Sequence, residues 1–282
     1  MKKIIIIFIL LSIVLAGCSQ QSSKIVATTL PVYEFSAALC EGTKITVSRL
    51  ISERVSCLHD YSLQVAQMQA IEAAQVVIIN GAGLEEFLGG ILDSKSVIDS
   101  SANLVLSCGL EHDGHEHEHD PHIWLSPKNA KQMCKTICGE LSALYPAHRK
   151  QFEENLDSLL SRLDALQAYG ELNLKDLASR DIITFHDGFA YFAESFDLHI
   201  LKAVEEESGS EASAKELIEL IALVNNNHLT AIFTEANGST SAANVISAET
   251  GAKIFSLDMA MAGNSYFEAM YHNINTIKEA LG

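Results

Sequence analysis

Basic residues are scarce in this chain: 19 Lys and Arg stand against 36 Asp and Glu, a formal net charge of −17. So acidic a surface does not neutralise phosphates, which excludes nucleic acid as a partner and argues against a clamp for an anionic substrate. Proline is also rare, with four in 282 residues, and tryptophan rarer, with one. No Cys-x-x-Cys pair occurs, so no zinc knuckle is built from paired thiolates. Apart from Cys18 the cysteines are Cys40, Cys57, Cys108, Cys134 and Cys138, an odd set that leaves at least one thiol unpaired within the chain. Cys134 and Cys138 share one face of a predicted helix and read as small buried side chains rather than a disulfide. After Leu15 no apolar run is long enough to cross a bilayer.

What is present begins with a leader. Lys2 and Lys3 precede an apolar run from Ile4 to Leu15, interrupted only by Ser12. That is a charged segment and a short hydrophobic core, the pattern of a secretory signal. It ends Leu15-Ala16-Gly17-Cys18, which resembles a bacterial lipobox, in which the cysteine is the residue that carries the lipids. Residues 1–17 are therefore expected to be removed, and 18–23 to form a polar, lipid-anchored tether. The mature chain would sit outside the cytoplasm, at a cell surface or in a periplasm, held to the membrane through Cys18.

Histidine is concentrated in one stretch. His112 to Pro127 reads HDGHEHEHDPHIWLSP and holds five of the eleven histidines. Neutral imidazole is the commonest protein ligand for zinc. His112, His115, His117 and His119 alternate with acidic residues and glycine, a low-complexity pattern suited to weak, auxiliary metal binding. From Asp120 onward the residues look positioned: Pro121 and Pro127 stiffen the chain, and Trp124 and Leu125 anchor it. His122 is thus the histidine of this stretch that can be held in one geometry.

The remaining chain alternates strand and helix patterns. Strands are expected at 24–28, 45–50, 76–79, 181–185, 199–204, 231–235 and 253–258, with weaker candidates at 97–99 and 104–106. Helices are expected at 32–40, 62–74, 84–92, 127–145, 188–196, 214–224, 241–250 and 265–281. A charged helix beginning at Pro146 has no strand beside it and reads as a connector. The expected fold is α/β: two Rossmann-like lobes with parallel sheets, 24–145 and 171–282, joined by a long rigid helix at 146–170. In such folds ligands lie off the carboxyl ends of strands. His59, His122, His186 and Asp258 all fall where a loop would deliver them into a cleft between the lobes, two from each half. Three imidazoles and a carboxylate make a plausible tetrahedral zinc shell. Glu235 ends a strand in the second half and is a candidate partner for an imidazole N–H.

His115-Glu116-His117-Glu118-His119 also fits HExxH, the zinc-protease pattern. That chemistry needs both histidines on one face of a regular helix. Gly114, Pro121 and the lack of apolar periodicity argue against such a helix here.

Taken together, these features resemble the metal-binding lipoproteins of bacterial ABC transporters for zinc and manganese, the cluster A-I solute-binding proteins. The likeness is carried by the lipobox, His59-Asp60-Tyr61, Asn80-Gly81-Ala82-Gly83-Leu84-Glu85, Asp120 through Pro127, His186 through Phe192, Ile232-Phe233-Thr234-Glu235, Leu257-Asp258 and Tyr266 through Asn273. Two positions depart from the pattern: Cys57-Leu58 stand where Asp-Pro is frequent, and Leu63 where proline is common. The resemblance implies that His59, His122, His186 and Asp258 bind the metal. It also implies a zinc rather than a manganese type, because the third position is histidine and a His-rich loop precedes the second ligand. By the same resemblance the protein is a non-enzymatic, monomeric carrier of Zn²⁺, with Mn²⁺ the alternative ion. Its partners would be a membrane permease and its ATPase, and some members of the family also serve as adhesins.

Overall fold

Among the described residues every strand is short and parallel to its neighbours, and the inner strands are largely buried on both faces, as packing between helices requires. The computed structural model describes residues 24–53, 58, 61–107, 119–204 and 212–282. The first sheet has the order β2-β1-β3-β4, formed by β1 (Lys24–Ala27), β2 (Thr46–Arg49), β3 (Val76–Ile79) and β4 (Ser96–Asp99). The second repeats it as β6-β5-β7-β8, with β5 (Asp181–Thr184), β6 (His199–Ala203), β7 (Ala231–Glu235) and β8 (Lys253–Leu257). In the first sheet Ile25 of β1 lies between Val47 and Val76. In the second, a register shift falls between Ile182 and Ile183 where β5 meets β6.

Helices α1 (Leu30–Leu39), α2 (Val65–Ala73) and α3 (Pro127–Leu144) belong to the first half. Helices α5 (Ala190–Ser195), α6 (Ala214–Asn226), α7 (Ser241–Thr250) and α8 (Tyr266–Leu281) belong to the second. Between them runs α4 (Arg149–Leu174), 26 residues long. Helix α3 starts as expected: Ser126 accepts a hydrogen bond from the Asn129 N–H, and Pro127 follows in the first turn. Cys134 and Cys138 on α3, and Cys40 after α1, are buried free thiols. Among the described residues no helix is long and apolar enough to cross a membrane.

Four expectations need correction. Residues 104–106 form no strand: the Leu104 N–H turns back to donate to the Ser101 carbonyl at 2.8 Å. Residues 84–92 form no α-helix: a 3-10 segment covers Glu86–Ser94, broken at Gly89, whose φ is +46°. The connecting helix does not begin at Pro146, where a 3-10 turn (Pro146–His148) intervenes, and it ends at Leu174 rather than 170. Asp258 lies one residue past β8 instead of ending it.

The two sheets share one apolar core. It runs from Ile25, Phe35 and Val77 in the first half through Trp124, Phe152 and Leu163 to Phe233, Leu257 and Ile277 in the second. A smaller core, including Ile183, Leu220 and Ile246, serves the second sheet alone.

Polar side chains tie the strand ends of the first sheet. The buried Glu85 carboxylate accepts from the Thr28 hydroxyl at 2.6 Å and from the Asn80 and Gly81 N–H groups at 2.7 and 3.0 Å. Burial outweighs these donors and pushes the Glu85 carboxyl from its ordinary 4.5 up to about 7. The folded protein therefore holds a proton there that the unfolded chain releases. The stability from this group is full at the low end of that range and declines as pH rises through it. A protonated Glu85 can donate to Thr28 and still accept from both backbone groups. Glutamine cannot, because its amide must face one N–H, an unmet donor costing about 1–3 kcal/mol. Glu85→Gln is thus expected to destabilise the metal-free protein, with a gap that is widest near pH 5 and narrows toward pH 8. Urea unfolding across that range checks it.

Candidate metal centre

The carboxyl ends of β5, β7 and β8 face the connection that leads from β4 into α3, and that connection carries His122. Its imidazole is 3% exposed and heads a short 3-10 turn, Ile123–Leu125. One carboxylate oxygen of Asp120 accepts from the His122 backbone N–H at 2.9 Å and lies 2.8 Å from His122 Nδ1. Asp120 thereby fixes both the backbone and the ring, and it favours the tautomer with the proton on Nδ1.

His186 arrives two residues after β5, from the other half. Its Nδ1 is 3.5 Å from Glu235 Oε2 at the end of β7. Its Nε2 is 3.4 Å from Nε2 of His122, with the ring planes at 87°. Each imidazole thus has a carboxylate behind it, and the two Nε2 atoms face each other. With both protons on the Nδ1 side, two lone pairs converge on one point. Two nitrogens bound tetrahedrally to zinc at about 2.0–2.1 Å would stand roughly 3.3 Å apart.

Surrounding elements hold this pair. Asn80 Nδ2 donates to the Pro121 carbonyl at 3.0 Å. The Tyr191 hydroxyl donates to the Asp120 carbonyl at 3.3 Å, and the Tyr266 hydroxyl to the Trp124 carbonyl at 2.9 Å. Trp124 is fully buried, and its Nε1–H donates to the Met259 carbonyl at 2.7 Å. Gly188 closes the floor: a Cβ there would stand 2.8 Å from His186 Cδ2, 3.0 Å from His122 Nε2 and 2.6 Å from the Met259 methyl.

Asp258 is pinned by its backbone. Its N–H donates to Asn273 Oδ1, and its carbonyl accepts from Asn273 Nδ2, both at 2.7 Å. Its side chain accepts from the Ala260 N–H at 2.7 Å. Burial and, after it, the Asp258 charge push the Glu235 carboxyl up to about 8. Glu235 Oε1 is buried with no hydrogen-bond partner among the described residues.

Of the expected ligands, then, the structure brings His122 and His186 together, with Glu235 behind His186. Among the described residues no three His, Cys, Asp or Glu side chains gather as a metal shell, so Asp258 stands near the pair without completing one. His59 lies outside the described residues, as do Cys18, His112, His115 and His117, and of the HExxH pattern only His119 is described. His199 and His272 bond elsewhere, to Asp181 and to the Ser256 carbonyl. The roles of Asp120, Asn80, Tyr191 and Tyr266 have no counterpart in the sequence reading. Only Asp120 had a local cue, an acid two residues before a histidine across a proline.

The family model for the ZnuA zinc-uptake complex component A, periplasmic, matches residues 25–280. The chain belongs to the ZnuA family. It is 30% identical over 308 aligned positions to the zinc-binding lipoprotein AdcA of Streptococcus pneumoniae, covering 99% of this chain and 61% of that protein. This ZnuA-family chain therefore spans about three fifths of the length of that relative. The crystal structure of a ZnuA deletion mutant with zinc bound is 31% identical, with a TM-score of 0.78 over 93% of this chain and 98% of that one. The Zn(II)-bound ZnuA-like domain of S. pneumoniae AdcA is 26% identical, with a TM-score of 0.79 over 92% and 99% of the two chains. These likenesses fit the two-lobed α/β architecture and its long connecting helix.

The close floor makes a direct prediction. Gly188→Ala is expected to force the His122 and His186 rings apart and to weaken Zn²⁺ binding by roughly 10- to 100-fold, the range seen when a ligand loses its orienting partner. Titration of the metal-free protein against a zinc chelator measures it, and far-UV circular dichroism should show the fold retained.

Proposed function

We propose that this ZnuA-family protein captures Zn²⁺ as cargo between the imidazoles of His122 and His186, with His59 and Asp258 supplying the other ligands. It then hands the ion to a membrane permease driven by an ATPase. The observation that carries the reading is the opposition of the two Nε2 atoms, 3.4 Å apart, each ring backed by a carboxylate from its own half. Imidazole nitrogen favours zinc over manganese, which prefers oxygen-rich shells. A shell filled by four protein ligands leaves no position for an activated water, so the site suits carriage rather than hydrolysis. Capture outside the cytoplasm, anchoring through lipids on Cys18, and auxiliary binding by His112, His115, His117 and His119 complete the proposal. Two acyl chains are what stable anchoring needs, since a single one binds only marginally.

Metal analysis of the purified mature protein, with Zn²⁺ and Mn²⁺ in competition, tests the reading; loading with neither ion would overturn it. His186→Glu replaces a nitrogen by oxygens and is expected to narrow the preference for Zn²⁺ over Mn²⁺ in the same competition.

Deleting residues 112–119 should leave one tight zinc site, because His122 is held by Asp120, Asn80 and Tyr191 and not by that run. His122→Ala should do the reverse, weakening the tight site by more than the roughly 10- to 100-fold that loss of an orienting partner costs. Calorimetry on both variants decides between them. Loss of the tight site in the deletion alone would move the binding centre to the histidine run.

A further inference from the structure

The segment from Asp258 to Ser265 follows the last strand of the second half, yet much of what holds it comes from the first half. The Met259 carbonyl accepts from Trp124 Nε1 at 2.7 Å. The Gly263 carbonyl accepts from Arg49 Nη1 at 2.9 Å. The Ser265 hydroxyl and the Tyr266 N–H donate to the Glu34 carboxylate at 3.2 and 2.6 Å. The Tyr266 hydroxyl returns to the Trp124 carbonyl at 2.9 Å, closing a loop of contacts around the indole. Within the segment Ala260 has φ +54°, a left-handed conformation that a residue with a Cβ avoids. Such a backbone persists only where its surroundings over-determine it.

Trp124 lies two residues past His122, and the carbonyl it grips belongs to the residue after Asp258. One side chain therefore ties the stretch that carries His122 to the residue that follows Asp258. We propose that Trp124 is a positioning residue for zinc. Its indole N–H holds the Asp258 carboxylate in reach of the ion, so the Trp124–Met259 bond governs how fast zinc leaves. This rests on the reading of Asp258 as a ligand. Trp124 itself touches no ion.

The test uses the full mature chain loaded with one Zn²⁺, with release into excess chelator followed by stopped flow, and Co²⁺ absorption as a monitor of coordination. Trp124→Phe keeps an aromatic ring and removes the N–H. It is expected to speed release by roughly tenfold or more, the lower end of the cost of losing an orienting partner. The Co²⁺ spectrum should shift the same way as in Asp258→Asn. Tyr266→Phe, which frees only the Trp124 carbonyl, should give a smaller change in the same direction and covers the case in which Trp124→Phe fails to fold. In the Asp258→Asn background neither substitution should speed release further, because the group they position is gone. Effects that multiply in the double variants, or wild-type release in Trp124→Phe and Tyr266→Phe, would overturn the proposal while leaving Asp258 a ligand. Unchanged release in Asp258→Asn alone would instead remove Asp258 from the shell, and the positioning role with it.

Discussion

The apolar seam between the two sheets is the constraint on which the rest of the structure depends. Helices α4 and α8 seal it with Phe152, Leu159, Leu163, Leu166, Met270, Ile274 and Ile277, all buried. Phe35 of the first half meets Tyr266 of the second edge to face at 5.0 Å, and Arg162 of α4 caps the Phe267 ring at 3.9 Å. Exposing half a dozen such side chains would cost on the order of 10 kcal/mol, comparable to the whole stability of a domain. The halves therefore do not swing apart to admit an ion. What can move are the loops laid over the seam, held by individual hydrogen bonds.

The polar groups near the metal centre make sense against that rigid backing. Asp120 and Glu235 each stand behind an imidazole, one from each half, so ring orientation is settled before any ion arrives. Behind them, Asn80 links the His122 loop to the Glu85 network at the ends of β1 and β3. The network is buried, which strengthens each bond and makes an unmet donor expensive. A site built this way needs little reorganisation on binding, and much of its ordering cost has been met in folding.

Much of this was legible in the sequence, for physical reasons that differ by element. Val76–Ile79 is apolar throughout, and Ala231–Phe233 opens its strand the same way, because both faces are covered, and that pattern is local. Residues 104–106 misled because three apolar residues in a row read as a strand, whereas the Leu104 N–H is taken up by the Ser101 carbonyl in a turn. Residues 84–92 misled because apolar spacing says helix while Gly89-Gly90 lets the chain kink. His122 and His186 stood out through their setting, one between two prolines beside the only tryptophan, the other just past a strand. Their partners did not. Trp124 meets Met259 across 135 positions and Tyr266 reaches Trp124 across 142, and contacts that distant leave no local trace.

Cys40, Cys134 and Cys138 carry a further consequence. Burial holds the Cys40 thiol up at about 12 and is the largest of the causes that raise Cys134 and Cys138. Only the thiolate binds metal or attacks a disulfide, so these sulfurs are chemically silent at neutral pH. Once folded, the chain keeps these three soft donors out of reach of metal. These three residues need no oxidant to reach their native state. Until α1 and α3 pack, however, the same thiols are open to metal and to one another, so folding itself is the step that withdraws these three sulfurs as metal donors.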